Sequence, residues 1–258
     1  MNISHPRIGC VPYLNARPLL EGLEGIAPPV RKLVPAMLYD AYERGELDAA
    51  LLSSIDVIGM EKAEVVNGVS ISSRGDVHSV VMAYTGELRG VTKVALDPAS
   101  HTSNALLRIV LEEFHGIRPE YVQYSEEKSK KDARLMIGDP AISFRKEAKG
   151  SDLRFLDLGG EWFRYTALPF VFAVWSLKTS YTKKEELSEL LRMTKNRGLA
   201  NRPAIADLTP DSDFTLRYLT DSIRYDLGEE EKRGLALFQE FLTKLNIVLK
   251  SNSKISYY

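Results

Sequence analysis

The sequence is poor in cysteine and histidine, the residues that most often build covalent cross-links and metal sites. Its 258 residues include one cysteine, Cys10, and four histidines. A single cysteine excludes an intramolecular disulfide and any metal site built from several cysteines. Because Cys10 lies in a short apolar run, we interpret it as a small buried side chain.

The sequence also lacks a charge excess and a long apolar run. The net charge is -1, which gives no electrostatic reason to expect binding to nucleic acid or to a membrane surface. No stretch approaches the roughly 18 apolar residues that a membrane-spanning helix needs. The first residues, MNISHPRIGC, contain no basic region followed by an apolar stretch and so predict no secretory signal. We therefore expect a cytoplasmic protein with a small-molecule partner.

Common catalytic signatures are missing as well. There is no GxSxG, HExxH, P-loop or GxGxxG pattern. The histidines are scattered, and an isolated histidine is more often structural than catalytic. Arg17, Arg74 and Arg145 are candidates to pair with a ligand carboxylate, although each is also typical of a protein surface.

The sequence does contain a strong strand-turn-helix pattern near its start. Residues 8–11 are apolar and predict a buried strand that ends near Pro12, since proline cannot donate to an inner ladder. Pro18 suits the first turn of a helix, which places Asn15 close to the N-cap. In open α/β sheets, small ligands bind at the carboxyl ends of such strands. An asparagine cap is equally ordinary architecture, so both interpretations stand at this point.

The order of predicted elements indicates an α/β protein with two lobes and a ligand cleft between them. A second buried strand, residues 49–52, ends in Ser53 and Ser54. We predict a discontinuous first lobe of residues 1–84 and 177–258 and a second lobe of residues 85–176. The two crossings between lobes are expected near Val81 and Phe172.

Polar residues follow two further predicted strands. Ser100, Thr102 and Ser103 precede an amphipathic helix, where free N–H groups and the helix dipole favour a carboxylate or phosphate. Asp139 ends the strand in IGDPA, where it is suited either to position a hydroxyl or to cap a turn. These residues predict a binding site for a small anion.

Six sequence blocks in order go further than any single motif. They are VPYLNARPL at 11–19, GELDAALLSS at 45–54, GDVHSV at 75–80, ALDPASHTS at 95–103, LMIGDPA at 135–141 and DLGGEWFRYTALPFVFAVW at 157–175. Together they resemble the chorismate dehydratases of the futalosine route of menaquinone biosynthesis. The resemblance implies a fold like that of type II periplasmic binding proteins, in agreement with the two lobes predicted above.

The resemblance also implies an activity and a set of site residues. The activity is a hydro-lyase reaction that removes water from chorismate, a dicarboxylate, to give 3-[(1-carboxyvinyl)oxy]benzoate. No metal and no organic cofactor is implied. Asn15 and Ser79 are the expected catalytic residues. The expected substrate-binding residues are Tyr13, Ser53, Ser54, His101, Thr102, Ser103 and Asp139, with no family role assigned to His101.

Two alternatives remain at the level of sequence. One is the sister enzyme of the same route, 1,4-dihydroxy-6-naphthoate synthase, which shares the fold. VPYLNARPL and GDVHSV favour the dehydratase over that enzyme. The other is a cytoplasmic small-anion-binding protein without turnover. No residue is obviously placed as the catalytic base, and one hypothesis is that a substrate carboxylate takes the proton itself.

Overall fold

The computed structural model describes residues 5–23, 29–124, 133–248 and 254–258, and within them strands and helices alternate. The strands are β1 (Ile8–Cys10), β2 (Arg31–Lys32), β3 (Ala49–Ser53), β4 (Lys62–Ser73), β5 (Val80–Thr85), β6 (Lys93–Leu96), β7 (Glu120–Gln123), β8 (Ala133–Ile137), β9 (Leu153–Asp157), β10 (Phe170–Leu177) and β11 (Lys254–Tyr257). The α-helices are α1 (Arg17–Glu21), α2 (Pro35–Glu43), α3 (Ser54–Gly59), α4 (His101–Ile109), α5 (Gly138–Glu147), α6 (Leu158–Thr166), α7 (Lys184–Ala200), α8 (Arg202–Asp207), α9 (Ser212–Arg217) and α10 (Glu229–Lys244). Short 3₁₀ turns lie at Leu14–Ala16 and Leu88–Gly90, and π-helical turns at Val110–Phe114 and Tyr218–Ser222.

The strands form two separate sheets. The first has the order β11-β4-β10-β3-β1-β2, and the second has the order β7-β6-β8-β5-β9. In the first sheet β1 runs parallel to β2 and β3, and β3 is buried along its whole length. Such a strand reads as a continuous apolar run because both of its faces are covered. The two sheets confirm the predicted α/β fold in two lobes.

In each sheet one interior strand runs antiparallel to both of its neighbours. In the first sheet β10 lies between β3 and β4, and in the second β5 lies between β8 and β9. The sequence-based division assigned these two apolar runs the other way round, with residues 80–84 in the first lobe and 170–176 in the second. The strand pairing differs from that division because each run enters the opposite sheet directly after its crossing.

The pairing therefore moves the crossings away from Val81 and Phe172. The chain leaves the first sheet after β4 and enters the second at β5, so residues 74–79 connect the sheets. It returns through residues 167–169, between α6 and β10. We propose these two short segments as the lobe boundaries.

Aromatic packing fixes the returning crossing. The rings of Trp162 in α6 and Phe170 in β10 lie 5.2 Å apart, and Phe170 lies 4.9 Å from Phe238 of α10. All three side chains are buried. Edge-to-face aromatic pairs add about 0.5–1.5 kcal/mol to the burial of apolar area. The crossing is thus anchored in an aromatic cluster that joins both lobes.

The C-terminal helices support the first sheet and the turn that follows β1. Helix α7 packs against α1 so closely that a Cβ on Gly198 would lie 1.6 Å from the carbonyl oxygen of Pro18. A glycine is needed at this contact because any side chain would displace α1 and the turn before it. No helix in the described part of the chain has the length and hydropathy required to cross a membrane.

Candidate active site

A cavity opens between the two lobes, where strands and helices of both sheets end. Its empty space is about 600 Å³, counted out to its mouth. The wall combines apolar side chains with hydroxyl and amide groups, a composition typical of small-molecule sites. The lining residues are Val11, Tyr13, Asn15, Pro35, Leu51, Ser53, Ile71, Val77, Ser79, Val80, Ser100, Thr102, Ser103, Ile137, Gly138, Phe172 and Ala173.

Asn15 reaches the cavity through the turn after β1. It lies within the 3₁₀ turn Leu14–Ala16, and α1 begins without a side-chain cap. Ala16 is the N-cap residue of α1, so Asn15 lies next to the N-cap, as predicted, but does not itself cap the helix. The Oδ1 atom of Asn15 is buried and has no hydrogen-bond partner among the residues that the structure describes. Since buried polar atoms are nearly always paired, this oxygen is a group that a ligand in the cavity can satisfy.

Ser79 lies at the end of the first crossing, directly before β5. Its side chain is buried, and its Oγ accepts a hydrogen bond of 2.8 Å from the Tyr218 hydroxyl. Its backbone carbonyl accepts a second bond of 2.8 Å from the N–H of Gly138. Burial raises the pKa of Tyr218, so the phenol stays protonated near neutral pH. Ser79 is thus fixed in the cavity wall by two other segments.

The residue before Ser79 has an unusual backbone. His78 adopts a φ of 62°, in the left-handed region, two residues before β5 begins. Its N–H and that of Val77 donate to the Asp157 carboxylate at 2.7 Å and 3.0 Å. A left-handed residue other than glycine is strained. Asp157 therefore holds the turn that presents Ser79 to the cavity.

The same turn contains the one cluster in the described residues with the spacing of a metal site, Asp76, His78 and Asp157. The Arg145 guanidinium lies 3.2 Å from His78 Nδ1 and 3.5 Å from an Asp157 oxygen. The positively charged guanidinium of Arg145 thus takes the position that a metal ion would need. We interpret these side chains as an ion-pair network.

The two serines that end β3 have different environments. Ser53 lines the cavity and donates a hydrogen bond of 2.6 Å to Asp56. Ser54 is fully buried, is not part of the lining and donates its proton to the carbonyl of Val171 at 2.5 Å. Its hydroxyl ties α3 to β10, so the geometry assigns it no substrate contact.

The first turn of α4 forms the opposite wall. Ser100 is the N-cap, and its Oγ accepts a hydrogen bond of 3.1 Å from the Ser103 N–H. Thr102 and Ser103 line the cavity, whereas the His101 side chain is 57% exposed and lies 3.5 Å from Asp56. The structure therefore brings the hydroxyls of this turn to the cavity and leaves the imidazole outside it.

Two hydrogen bonds join the lobes beside the cavity. The Ile55 N–H of α3 donates to Thr102 Oγ1 at 3.1 Å, and the Leu14 N–H donates to the Asp139 carboxylate at 3.0 Å. Asp139 itself is not part of the lining, and burial raises the pKa of its carboxyl group. These two bonds connect opposite lobes across the mouth of the cleft.

Gly138 shapes the wall between Tyr13 and Ser79. It has a φ of 64°, and a Cβ at this position would lie 2.9 Å from the Tyr13 ring. Both the backbone angle and the close approach require glycine. The ring of Tyr13 therefore packs directly on the start of α5 and closes this side of the cavity.

The wall of the cavity is mostly apolar, with several polar groups and no charged side chain among the described lining residues. Among the described lining residues, Tyr13 is the only one that titrates, and burial raises the pKa of its phenol. The three arginines considered as carboxylate partners bind protein groups instead: Arg17 pairs with Glu21, Arg74 with Glu230 and Arg145 with Asp157. An anion in this cavity would be held by hydroxyls, amides and helix N-termini.

Comparison with known protein families finds a match over nearly the whole length of the chain. A family described as menaquinone biosynthesis matches residues 6–244. The chain belongs to this family. Two relatives in it are named chorismate dehydratases. The protein of Thermus thermophilus is 29% identical over 91% of this chain and 94% of its own length, and that of Campylobacter jejuni is 26% identical over 91% and 92%.

Solved structures place this menaquinone-biosynthesis protein in a wider fold group. Protein AF1704 of Archaeoglobus fulgidus superposes with a TM-score of 0.76 at 14% identity, covering 96% of this chain and all of its own. An alkanesulfonate-binding protein of Xanthomonas axonopodis superposes with a TM-score of 0.66 at 12% identity, covering 97% and 98%. A Candida albicans protein with the generic periplasmic binding protein fold has a TM-score of 0.65 at 11% identity, covering 98% and 96%. The predicted fold class is confirmed.

The expected site residues of this family member divide into two groups. The structure brings Tyr13, Asn15, Ser53, Ser79, Thr102 and Ser103 together in the cavity wall. Ser54, His101 and Asp139 lie outside the lining, in positions that tie elements together or face solvent.

Several residues of the site were not expected from the sequence. Gly138 and Phe172 line the cavity, and Tyr218 and Tyr225 bond to Ser79 and to the Asn15 carbonyl. Gly138 belongs to the block LMIGDPA, and a glycine directly after a predicted strand could have indicated a close backbone approach at the site. The two tyrosines belong to the C-terminal helical region, whose periodicity indicates only packing.

Proposed function

We propose that this chain is a chorismate dehydratase, which removes water from chorismate to give 3-[(1-carboxyvinyl)oxy]benzoate for menaquinone biosynthesis. The family match and the two relatives of that name support the proposal. The observation that carries it is the position of Asn15 and Ser79, which face one cavity opposite the N-terminus of α4.

The cavity suits a dicarboxylate with an apolar ring. Thr102, Ser103 and the free N–H groups of the first turn of α4 hold one carboxylate, where the helix dipole favours negative charge. Ser53 at the end of β3 also lines the cavity, but its proton is donated to the Asp56 carboxylate and is not available to the second substrate carboxylate. The apolar side chains between them, such as Ile71 and Phe172, pack on the ring.

The reaction needs orientation more than strong acid or base groups. The C–H bond at the enolpyruvyl-bearing carbon breaks, the neighbouring C–O bond breaks, and proton and hydroxyl leave as water while the ring becomes aromatic. Asn15 anchors the departing hydroxyl, and Ser79 donates a hydrogen bond to the substrate. Fixed donors in a closed cavity stabilise the developing charge without reorganisation.

A substrate carboxylate is the proton acceptor that we propose. No aspartate, glutamate or histidine occurs among the described lining residues. Tyr13, whose pKa is raised by burial, remains protonated and is unsuited to act as a base. The protein's part is then to hold the carboxylate and the ring proton in one geometry and to exclude water.

One assay tests the proposal. Purified protein is incubated with chorismate, and the aromatic enolpyruvyl product is separated by chromatography. Heat-denatured protein controls for spontaneous decay of chorismate. Formation of 3-[(1-carboxyvinyl)oxy]benzoate by the folded protein alone is the expected result. If chorismate binds without turnover, the chain is a small-anion-binding protein. If chorismate neither binds nor reacts, the sister enzyme 1,4-dihydroxy-6-naphthoate synthase becomes the better assignment.

A further inference from the structure

We propose that Tyr218 is a positioning residue: its hydroxyl holds the Ser79 hydroxyl so that the Ser79 proton points into the cavity. The proposal rests on the proposed function, because it specifies how Ser79 meets the substrate. It assigns a role to the C-terminal region of the chain, which contributes no residue to the cavity lining among those described.

The position of Tyr218 is fixed by its surroundings. It begins the π-helical turn Tyr218–Ser222 directly after α9, and its side chain is only 2% exposed. Its ring stacks on Phe214 with centroids 5.9 Å apart and planes 10° from parallel. The hydroxyl oxygen lies 2.8 Å from Ser79 Oγ. This length is typical of a well-formed O–H···O hydrogen bond.

Counting donors decides the direction of this bond. A phenol and a serine hydroxyl each have one proton. Within the described chain Ser79 Oγ is the one hydrogen-bond partner of the Tyr218 hydroxyl, and Tyr218 is fully buried. If Ser79 donated to Tyr218, the phenol proton would be left unpaired in the interior, which is costly. Tyr218 therefore donates, and the Ser79 proton is free for an acceptor in the cavity.

The consequence is that Ser79 is prepared as a donor before substrate arrives. Burial raises the pKa of Tyr218, which keeps the phenol protonated and the arrangement constant near neutral pH. The same stretch of chain also supports the other expected catalytic residue, because the Tyr225 hydroxyl donates to the Asn15 carbonyl at 2.9 Å. One C-terminal segment thus holds both residues from outside the cavity.

The test is a double-mutant cycle between Tyr218→Phe and Ser79→Ala in the full chain. Tyr218→Phe removes one oxygen and is expected to lower kcat about ten-fold with KM little changed. This loss is smaller than the roughly hundred-fold or larger loss typical of deleting a catalytic donor. In the Ser79→Ala background, Tyr218→Phe should have no further effect on kcat, since the group it positions is gone.

Tyr42→Phe is the matched control. Tyr42 is also buried, and its hydroxyl lies 3.0 Å from a serine hydroxyl, that of Ser176, and 2.9 Å from the Leu177 carbonyl. It lies outside the cavity lining. Its loss should lower the melting temperature to a similar extent as Tyr218→Phe and leave kcat unchanged.

The outcomes separate this proposal from the proposed function. Absence of turnover by the unmodified protein contradicts the function itself. Turnover with an unchanged kcat in Tyr218→Phe, or with equal losses in both Ser79 backgrounds, overturns the positioning role. Should Tyr218→Phe alone fail to fold, the comparison of Ser79→Ala with the double variant still decides. Removing both partners leaves no orphaned group, and a lower kcat in the double variant overturns the proposal.

Discussion

The two walls of the cavity differ in how their polar groups are satisfied. At the N-terminus of α4, Ser100 donates to Ser103 Oγ at 2.9 Å and Thr102 accepts from the Ile55 N–H at 3.1 Å. On the opposite wall, within the described chain, Asn15 Oδ1 has no partner, and Ser79 keeps a free proton. On both walls, hydroxyl oxygens are paired while their protons are available to a ligand, and the Asn15 wall adds a buried acceptor oxygen that is left unpaired among the described residues.

This difference distinguishes binding from chemistry. An unsatisfied buried polar group costs about 1–3 kcal/mol, so it persists where function needs it. Thr102 and Ser103 accept these bonds through their oxygens, so their hydroxyl protons remain available to donate to a carboxylate. We therefore expect kcat to depend on the Asn15 wall and KM to depend on the α4 wall.

Asn15→Ala should have the largest effect. We expect kcat to fall at least about hundred-fold, since a preorganised polar group at the reacting centre is lost. Because Oδ1 has no partner in the part of the chain that the structure describes, the free energy of unfolding should change by less than about 1 kcal/mol. Steady-state kinetics and thermal unfolding measure the two quantities, with Asn201→Ala outside the cavity as the control. A much lower melting temperature with normal activity per folded molecule would mean that Asn15 is only structural.

Thr102→Ala combined with Ser103→Ala should act on binding. KM for chorismate is expected to rise about ten-fold, equivalent to one charge-assisted hydrogen bond, while kcat stays within about three-fold. Ser54→Ala is the matched control because its hydroxyl bonds to the Val171 carbonyl and does not line the cavity. An unchanged KM in the double variant would place the carboxylate elsewhere.

The sequence predicted the strand ends well and the partners across the cleft poorly. Ser53, Asn15 and the α4 turn follow from local signals, since apolar runs and proline mark where strands end. Ser54 was expected in the site because it adjoins Ser53, but its hydroxyl is used by Val171, a residue 117 positions away. Tyr218 and Ser79 are 139 positions apart. No local pattern reports such pairs.

Local patterns also could not predict which sheet β5 and β10 join. Their apolar runs correctly predicted buried strands, but an apolar run carries no information about which sheet it joins. His78 shows the same limit, because its left-handed φ of 62° depends on hydrogen bonds from its turn to Asp157.

Closure of the lobes should respond to Asp139. Removing its carboxylate in Asp139→Ala deletes the hydrogen bond from Leu14 across the cleft, and we expect KM to rise about three-fold to ten-fold. Asp139→Asn keeps an acceptor oxygen and should behave nearly as the unmodified protein.

In small-angle scattering, a non-reacting chorismate analogue should reduce the radius of gyration of the unmodified protein. If a saturating analogue leaves the radius unchanged, the free protein is already closed or the site lies in one lobe.

The smallest expected effect is that of pH on kcat. Tyr13 is the only titrating side chain among the described lining residues, and burial raises its pKa above the ordinary value. A raised pKa keeps the phenol neutral as the pH rises, so kcat should be flat between about pH 6 and 9. A bell-shaped profile in this range would indicate a histidine or carboxyl group acting as the base.

The most direct test of the account is a crystal structure of Asn15→Ala with chorismate, since the impaired variant preserves the substrate. The account predicts one carboxylate at the first turn of α4, against Thr102 and Ser103. It predicts the ring hydroxyl next to position 15, with Ser79 Oγ within hydrogen-bond distance of the substrate. Chorismate bound outside this cavity, or with its hydroxyl against α4 and a carboxylate beside position 15, would contradict the assignment of chemistry to one wall and binding to the other.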